Sequence, residues 1–287
     1  MTTQDRAHDA ANSARGKQAY FVADGDTYVP TRLAQGPWGK TISGNFVGGI
    51  LGRTIERDAG DPDLQPARLT VDLLRPAALE PLRIATTVVR QGKRIRLVDA
   101  VMTQSDAVVA RASALFLRRG VQPADQVWTS PVGMPTMAPQ LDEQADGLPM
   151  LMWAYGKDAE MGSPGALDEW QHAGPKYAWV RDTLPLVGGE PITPFTRAAM
   201  AGDVTSSLTH WGTGGLHFIN ANYTLTLSRL PDGPHIGLAA LTHYSHAGVA
   251  TGVATIFDHL GPIGSGVATA LVNPGVSPGS AMGAAVG

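Results

Sequence analysis

The chain repeats itself, and that limits what it can fold into more than any other feature. ARLTVDLLRP at 67–76 lies on ANYTLTLSRLP at 221–231, with Ala67 on Ala221, Thr70 on Thr224, Leu73 on Leu227 and Arg75 on Arg229, each pair 154 residues apart. The register persists downstream: LRIATTVVRQGKRIRLVDAVMTQSDAVVARASALFLRRG, from Leu82, can be laid on IGLAALTHYSHAGVATGVATIFDHLGPIGSGVATALVNPG, from Ile236, with small shifts. A repeat of this length is one structural unit used twice. Within each unit, Val, Ile, Thr and Leu dominate runs broken by turn residues, QGK at 91–93 and SDA at 105–107 in the first, which predicts an antiparallel meander of long strands.

Each unit also carries a helix candidate ahead of the meander: SGNFVGGILGRTIE at 43–56 and TPFTRAAMAGDVTSSL at 193–208. In the first, Phe46, Val47, Ile50, Leu51 and Ile55 form one apolar face at helical spacing. The same stretch holds Gly44, Gly48, Gly49 and Gly52, each costing a helix about 0.5–1 kcal/mol relative to Ala. Close approach of other backbone or of a ligand repays such a cost, so the helix is expected inside the fold. Its free N–H groups at the start offer a site for partial negative charge. The second helix has matching start chemistry, Thr193 as N-cap and Pro194 at the first position.

The predicted division is a polar N-terminal segment (1–17), a first unit (18–120), a linker (121–172), a second unit (173–274) and a small-residue tail (275–287). The linker holds Trp128, Trp153 and Trp170, and Met134, Met137, Met150, Met152 and Met161. Free linkers do not carry so many large apolar side chains, so it is expected to pack on a surface, with its methionines roofing a pocket.

Several function classes find no support. With no cysteine there are no disulfides, thiolate nucleophiles or zinc–thiolate sites. A net charge of -3 gives no reason to expect nucleic acid, and no apolar run is long enough to span a bilayer; the expected location is the cytoplasm. Phosphate-binding glycine loops are absent, GSG at 264–266 is not a nucleophile elbow, and His243 and His246, three apart in a strand, make a poor metal pair.

At this point the residues resemble a known family, the TesB-like type II acyl-CoA thioesterases, which are double hotdogs in a single chain. SGNFVGG sits where the family starts its first hotdog helix with a Gly-Gly-Gln-type motif. LTVDLLRPAALEPLRIATTVVRQGKRI looks like its strand ending in Arg-Pro, and AAMAGDVTSSL like the helix bearing its catalytic Asp. The implied fold is α+β, a tandem double hotdog of two antiparallel sheets each wrapped around a central helix. The implied activity is hydrolysis of acyl-CoA to free acid and coenzyme A, with no cofactor, by a monomer or a homodimer. Carried over residue by residue, the catalytic Asp falls on Asp203 and the Thr or Ser position on Asn220 in FINANYTLTLSR. The family's third catalytic residue, a Gln, falls on Ala268, with Thr269 facing the other side of the strand. On this reading Gly44 and Asn45 supply carbonyl donors, Asp203 polarises water and Asn220 positions it.

Other readings stay open beside it. Lys93, Arg94 and Arg96 either hold coenzyme A phosphates or form a solvated outer face. With Ala268 at the Gln position, a non-catalytic acyl-thioester or lipid-binding module competes with the enzyme. Another thioester enzyme on the same fold, a hydratase or a carrier-protein thioesterase, is the third candidate. A hydratase needs an Asp–His pair that Asp203 lacks, and Asp142, Glu143 and Asp146 argue against docking an acidic carrier.

Overall fold

Strand pairing across the repeat organises the whole molecule. The computed structural model describes residues 18–59, 61–137, 150–158, 160 and 166–273. In the first unit a hairpin, β1 (Phe21–Asp24) and β2 (Thr27–Pro30), precedes helix α1 (Gly44–Ala59). Four long strands follow: β3 (Leu64–Leu73), β4 (Leu82–Gln91), β5 (Ile95–Gln104) and β6 (Ala107–Arg118). The second unit has β7 (Met150–Tyr155) and β8 (Tyr177–Asp182), helices α2 (Pro194–Gly202) and α3 (Val204–His210), then β9 (Phe218–Leu227), β10 (Ile236–His246), β11 (Val249–Asp258) and β12 (Gly261–Val272).

These strands make one continuous antiparallel sheet of twelve, in the order β1-β2-β4-β5-β6-β3-β9-β12-β11-β10-β8-β7. The order reads the same from both ends once repeat partners are matched, so the two halves are related by a pseudo-twofold axis between β3 and β9. Thr70 and Thr224, the pair set 154 residues apart by the repeat, are register partners there, with hydroxyls 3.0 Å apart. The two expected sheets join into one continuous surface: β3 and β9 pair with each other, and neither unit keeps a free inner edge. The meander holds for β4, β5 and β6, but β3 joins beyond β6, not beside β4.

The helices pack side by side on one face of the sheet, and this accounts for the glycines of α1. A Cβ on Gly48 would lie 1.7 Å from the Tyr223 hydroxyl oxygen, and one on Gly44 would lie 2.6 Å from Asp203 Oδ1. Gly49 and Gly52 face Met200 and Ala199 of α2. The close approach is therefore mainly helix to helix, with Tyr223 wedged between the two and donating from its hydroxyl to the Ala199 carbonyl, 2.7 Å away. Thr193 caps α2 as expected, accepting from the Thr196 N–H at 3.0 Å. The single second helix of the sequence reading is interrupted at Asp203, directly after Gly202, so this residue joins α2 to α3.

The linker reading needs correction. β7 lies inside 121–172 and forms the outer strand of the second unit, paired with β8. Its residues alternate: Met150 and Met152 face the helices, while Leu151, Trp153 and Tyr155 face the outside of the sheet. There Val132, Met134 and Met137 cover them, tied by the Trp179 Nε1–H donating to the Pro135 carbonyl. Trp170 is buried in the main core, but Trp128 is 87% exposed. The segment 1–17, the tail 275–287, Met161 and the acidic group Asp142, Glu143 and Asp146 lie outside the described residues.

Candidate active site

The axis between the repeats brings the start of α1, from the first half, onto the helix junction of the second. Asp203 sits at that junction with its carboxylate against Gly44, where only a residue without Cβ fits. It accepts from the backbone N–H of Asn45 and, at 2.7 Å, from Asn220 Nδ2. A helix start is a natural seat for a carboxylate, having unpaired N–H groups and the positive end of the dipole. Burial nevertheless dominates and pushes Asp203 up to about 6, while the Asn220 and Asn45 bonds hold it back. Its neighbour Tyr223 is raised well above its ordinary range, by burial first and by Asp203 second.

Asn220 owes its position to a bulge. The β9–β12 register shifts between Asn220 and Asn222, leaving Ala221 unpaired, so that Asn220 lies opposite Ala270 and Tyr223 opposite Ala268. Ala268 and Ala270 are both buried on the inner face, and Thr269 is exposed on the other. The strand position beside Asn220 is thus Ala270, which the sequence reading did not single out; the bulge that moves it has no marker in FINANYT. Ala268 lies one inward position further, packed among Tyr223 and the sheet.

Asn45 is buried behind the site. Its Nδ2 donates to Met150 Sδ at 3.2 Å, and its Oδ1 is buried without a hydrogen-bond partner. Of the linker methionines, Met150 is therefore the one against the candidate residues, while Met134 and Met137 pack on the opposite face of the sheet.

The basic cluster is elsewhere. β5 runs from Ile95 beside the C-terminal end of α1 to Gln104 beside its start, where Gln104 bonds Ala78 next to the Ile42–Ala77 bond. Arg96 pairs with Asp61, just past the end of α1, at 3.5 Å, and Lys93 and Arg94 are exposed on the adjoining turn. A helix of sixteen residues is about 24 Å long, so the structure groups Gly44, Asn45, Asp203 and Asn220 and leaves Lys93, Arg94 and Arg96 at the far end. Among the described residues no set of three His, Asp or Glu is placed to hold a metal, and no helix is long and apolar enough to cross a membrane.

Residues 34–117, the body of the first repeat, match the family model described as the acyl-CoA thioesterase N-terminal domain. No curated protein matches the chain. Among solved structures, the tesB protein of Mycobacterium avium subspecies paratuberculosis superposes with a TM-score of 0.64 at 14% identity, covering 91% of this chain and 98% of that one. A hot dog fold protein of unknown function from Alicyclobacillus acidocaldarius gives 0.63 at 18%, covering 92% and 99%. The acyl-CoA thioesterase II TesB2 of Mycobacterium marinum gives 0.58 at 17%, covering 87% and 94%. At these identities the likeness to the solved structures is one of fold, and it extends over nearly the whole chain.

Proposed function

We propose that this chain, whose first repeat matches an acyl-CoA thioesterase domain and whose fold is shared with TesB-type proteins, is a tandem double hotdog that hydrolyses an acyl-CoA to free acid and coenzyme A. The observation that carries the reading is the Asp203 carboxylate, buried at the start of α1 and bonded to Asn220 and to the Asn45 N–H. A carboxylate pushed up to about 6 is a base near neutral pH. It takes a proton from a water that attacks the thioester carbonyl, so no covalent intermediate is required.

The donor assignment differs from the one the sequence suggests. The Asn45 N–H is committed to Asp203, where it holds the base in place. Asn220 Nδ2 carries two hydrogens and spends one on Asp203 Oδ1, so its second is directed to the water or to the carbonyl oxygen. Gly44 keeps that approach open. Lys93, Arg94 and Arg96 take no part in this reading, because the coenzyme A phosphates would have to reach the other end of α1.

A second reading, a binding protein without turnover, is favoured by the two methyl groups of Ala268 and Ala270 where a third polar side chain would complete the site. Release of free thiol from acyl-CoAs of increasing chain length separates the two. The hydrolase reading expects turnover by the wild type, lowered on the order of 100- to 1000-fold or more in Asp203→Asn. Binding without turnover, with turnover appearing in Ala270→Gln or Ala268→Gln, would establish the second reading instead.

A further inference from the structure

The pseudo-twofold axis gives the candidate active site a counterpart at the other end of the helix pair. Strand residues map at an offset of 154, as Thr70 and Thr224 show. In the helices Gly52 and Gly202 are equivalent: Gly52 faces the side chain of Leu69, and Gly202 faces Tyr223, which is the repeat partner of Leu69. The start of α2 therefore meets α1 as the start of α1 meets Asp203. There the Thr193 and Thr196 hydroxyls donate to Glu56 Oε2.

The counterpart has lost the polar pair. The position equivalent to Asp203 is Arg53, which turns away to bond Glu190 and Tyr28. Pro66 stands in place of Asn220, beside its own bulge between Pro66 and Arg68, and its register partner Phe116 stands in place of Ala270. Leu64 occupies the position of Phe218. What these changes leave is a cavity of about 300 Å³, at the small end of ligand sites, walled by Leu64, Pro66, Phe116, Leu230 and Ala59. Three charged groups also line it: Glu56, Asp61 and Arg119. Asp61 faces Arg96, and Glu56 is occupied by the two threonine hydroxyls and raised by burial toward its neutral form. Arg119 is the one cation of the lining, and its Nε donates to a neutral group, Gln65 Oε1, at 3.2 Å.

We infer that this cavity is a second, non-hydrolytic ligand site, taking a short apolar carboxylate whose chain lies between Leu64, Phe116 and Leu230 and whose carboxylate meets the Arg119 guanidinium. The site lacks both Asp203 and Asn220, so it binds without turnover. It does not depend on whether the Asp203 site hydrolyses anything. A free acid and the acid released by a thioesterase are the same chemical species here, so octanoate itself is the probe.

Calorimetric titration of the full chain with octanoate and with octanol tests this. Octanoate is expected to bind, octanol at least tenfold more weakly, since a charge-assisted hydrogen bond is lost. Arg119→Gln, an exposed rim position, should weaken octanoate about tenfold or more, and Leu230→Trp should abolish binding by filling the cavity, with both variants melting like the wild type. Asp203→Asn should leave the octanoate affinity unchanged. No binding of octanoate up to about 10 mM, or wild-type affinity in both Arg119→Gln and Leu230→Trp, would overturn the site. Equal affinity for octanol would overturn the role of Arg119.

Discussion

The two ends of the helix pair have the same scaffold and different chemistry. Where α1 begins, Asp203 and Asn220 meet over a glycine; where α2 begins, the equivalent positions hold Arg53 and Pro66, and a cavity opens beside Phe116. Both ends keep the bulge, the helix start and the inward strand face. The scaffold therefore supplies shape, and a few side chains decide whether that shape holds a buried carboxylate or a cavity of mixed apolar and charged lining.

That contrast can be broken at its polar end first. Gly44→Ala puts a Cβ where the Asp203 carboxylate lies, 2.6 Å from Oδ1. The helix itself gains from Ala, so folding should survive, while displacing the base by about an ångström should lower thioester hydrolysis about 100-fold. An unchanged rate in Gly44→Ala would separate Asp203 from the chemistry.

The next largest effect is on pH dependence. With Asp203 at about 6, hydrolysis should fall about tenfold per unit as pH drops below that value, and be flat above it. Stability has the opposite sign. Between about 4 and 6 the native carboxyl holds a proton that the unfolded chain has already lost, so stability decreases as pH rises through that window. Asp182, pushed by burial up to about 7, extends the same trend upward. Asp203→Asn should therefore flatten the lower part of the slope in urea unfolding, on the order of 1–3 kcal/mol. A wild-type slope retained in that variant would contradict the assignment.

The smallest effect belongs to the other end. Thr193→Ala removes the cap of α2 and one bond to Glu56, and should cost about 1 kcal/mol in unfolding while leaving hydrolysis at the wild-type rate. A large loss of activity in Thr193→Ala would show that the two ends are coupled.

Much of this was readable in the residues. The repeat announced the axis, Thr193-Pro194 marked the start of α2, and GNFVGGILG marked a helix in tight contact. What could not be read was the partner in that contact: a glycine shows that something comes close, and Tyr223 and α2 were identified only by folding. β7 was hidden because MLMWAY lacks polar residues, as both of its faces are covered, and so shows no alternation. Ala270 carries no mark in the sequence because an extra residue in β9 shifts the pairing by one, and the end of α1 beside which Lys93, Arg94 and Arg96 lie cannot be read because direction along an antiparallel strand is not visible in its composition.

Across the central seam Thr70 faces Thr224, its own repeat partner. A seam at which a residue faces its own repeat partner is the seam two identical chains would form. In such a pair every substitution enters twice, and Pro66 could not arise at one end while Asn220 stayed at the other. Joined in one polypeptide, the halves inherit separately. A single codon change then alters one end of the molecule and spares its twin.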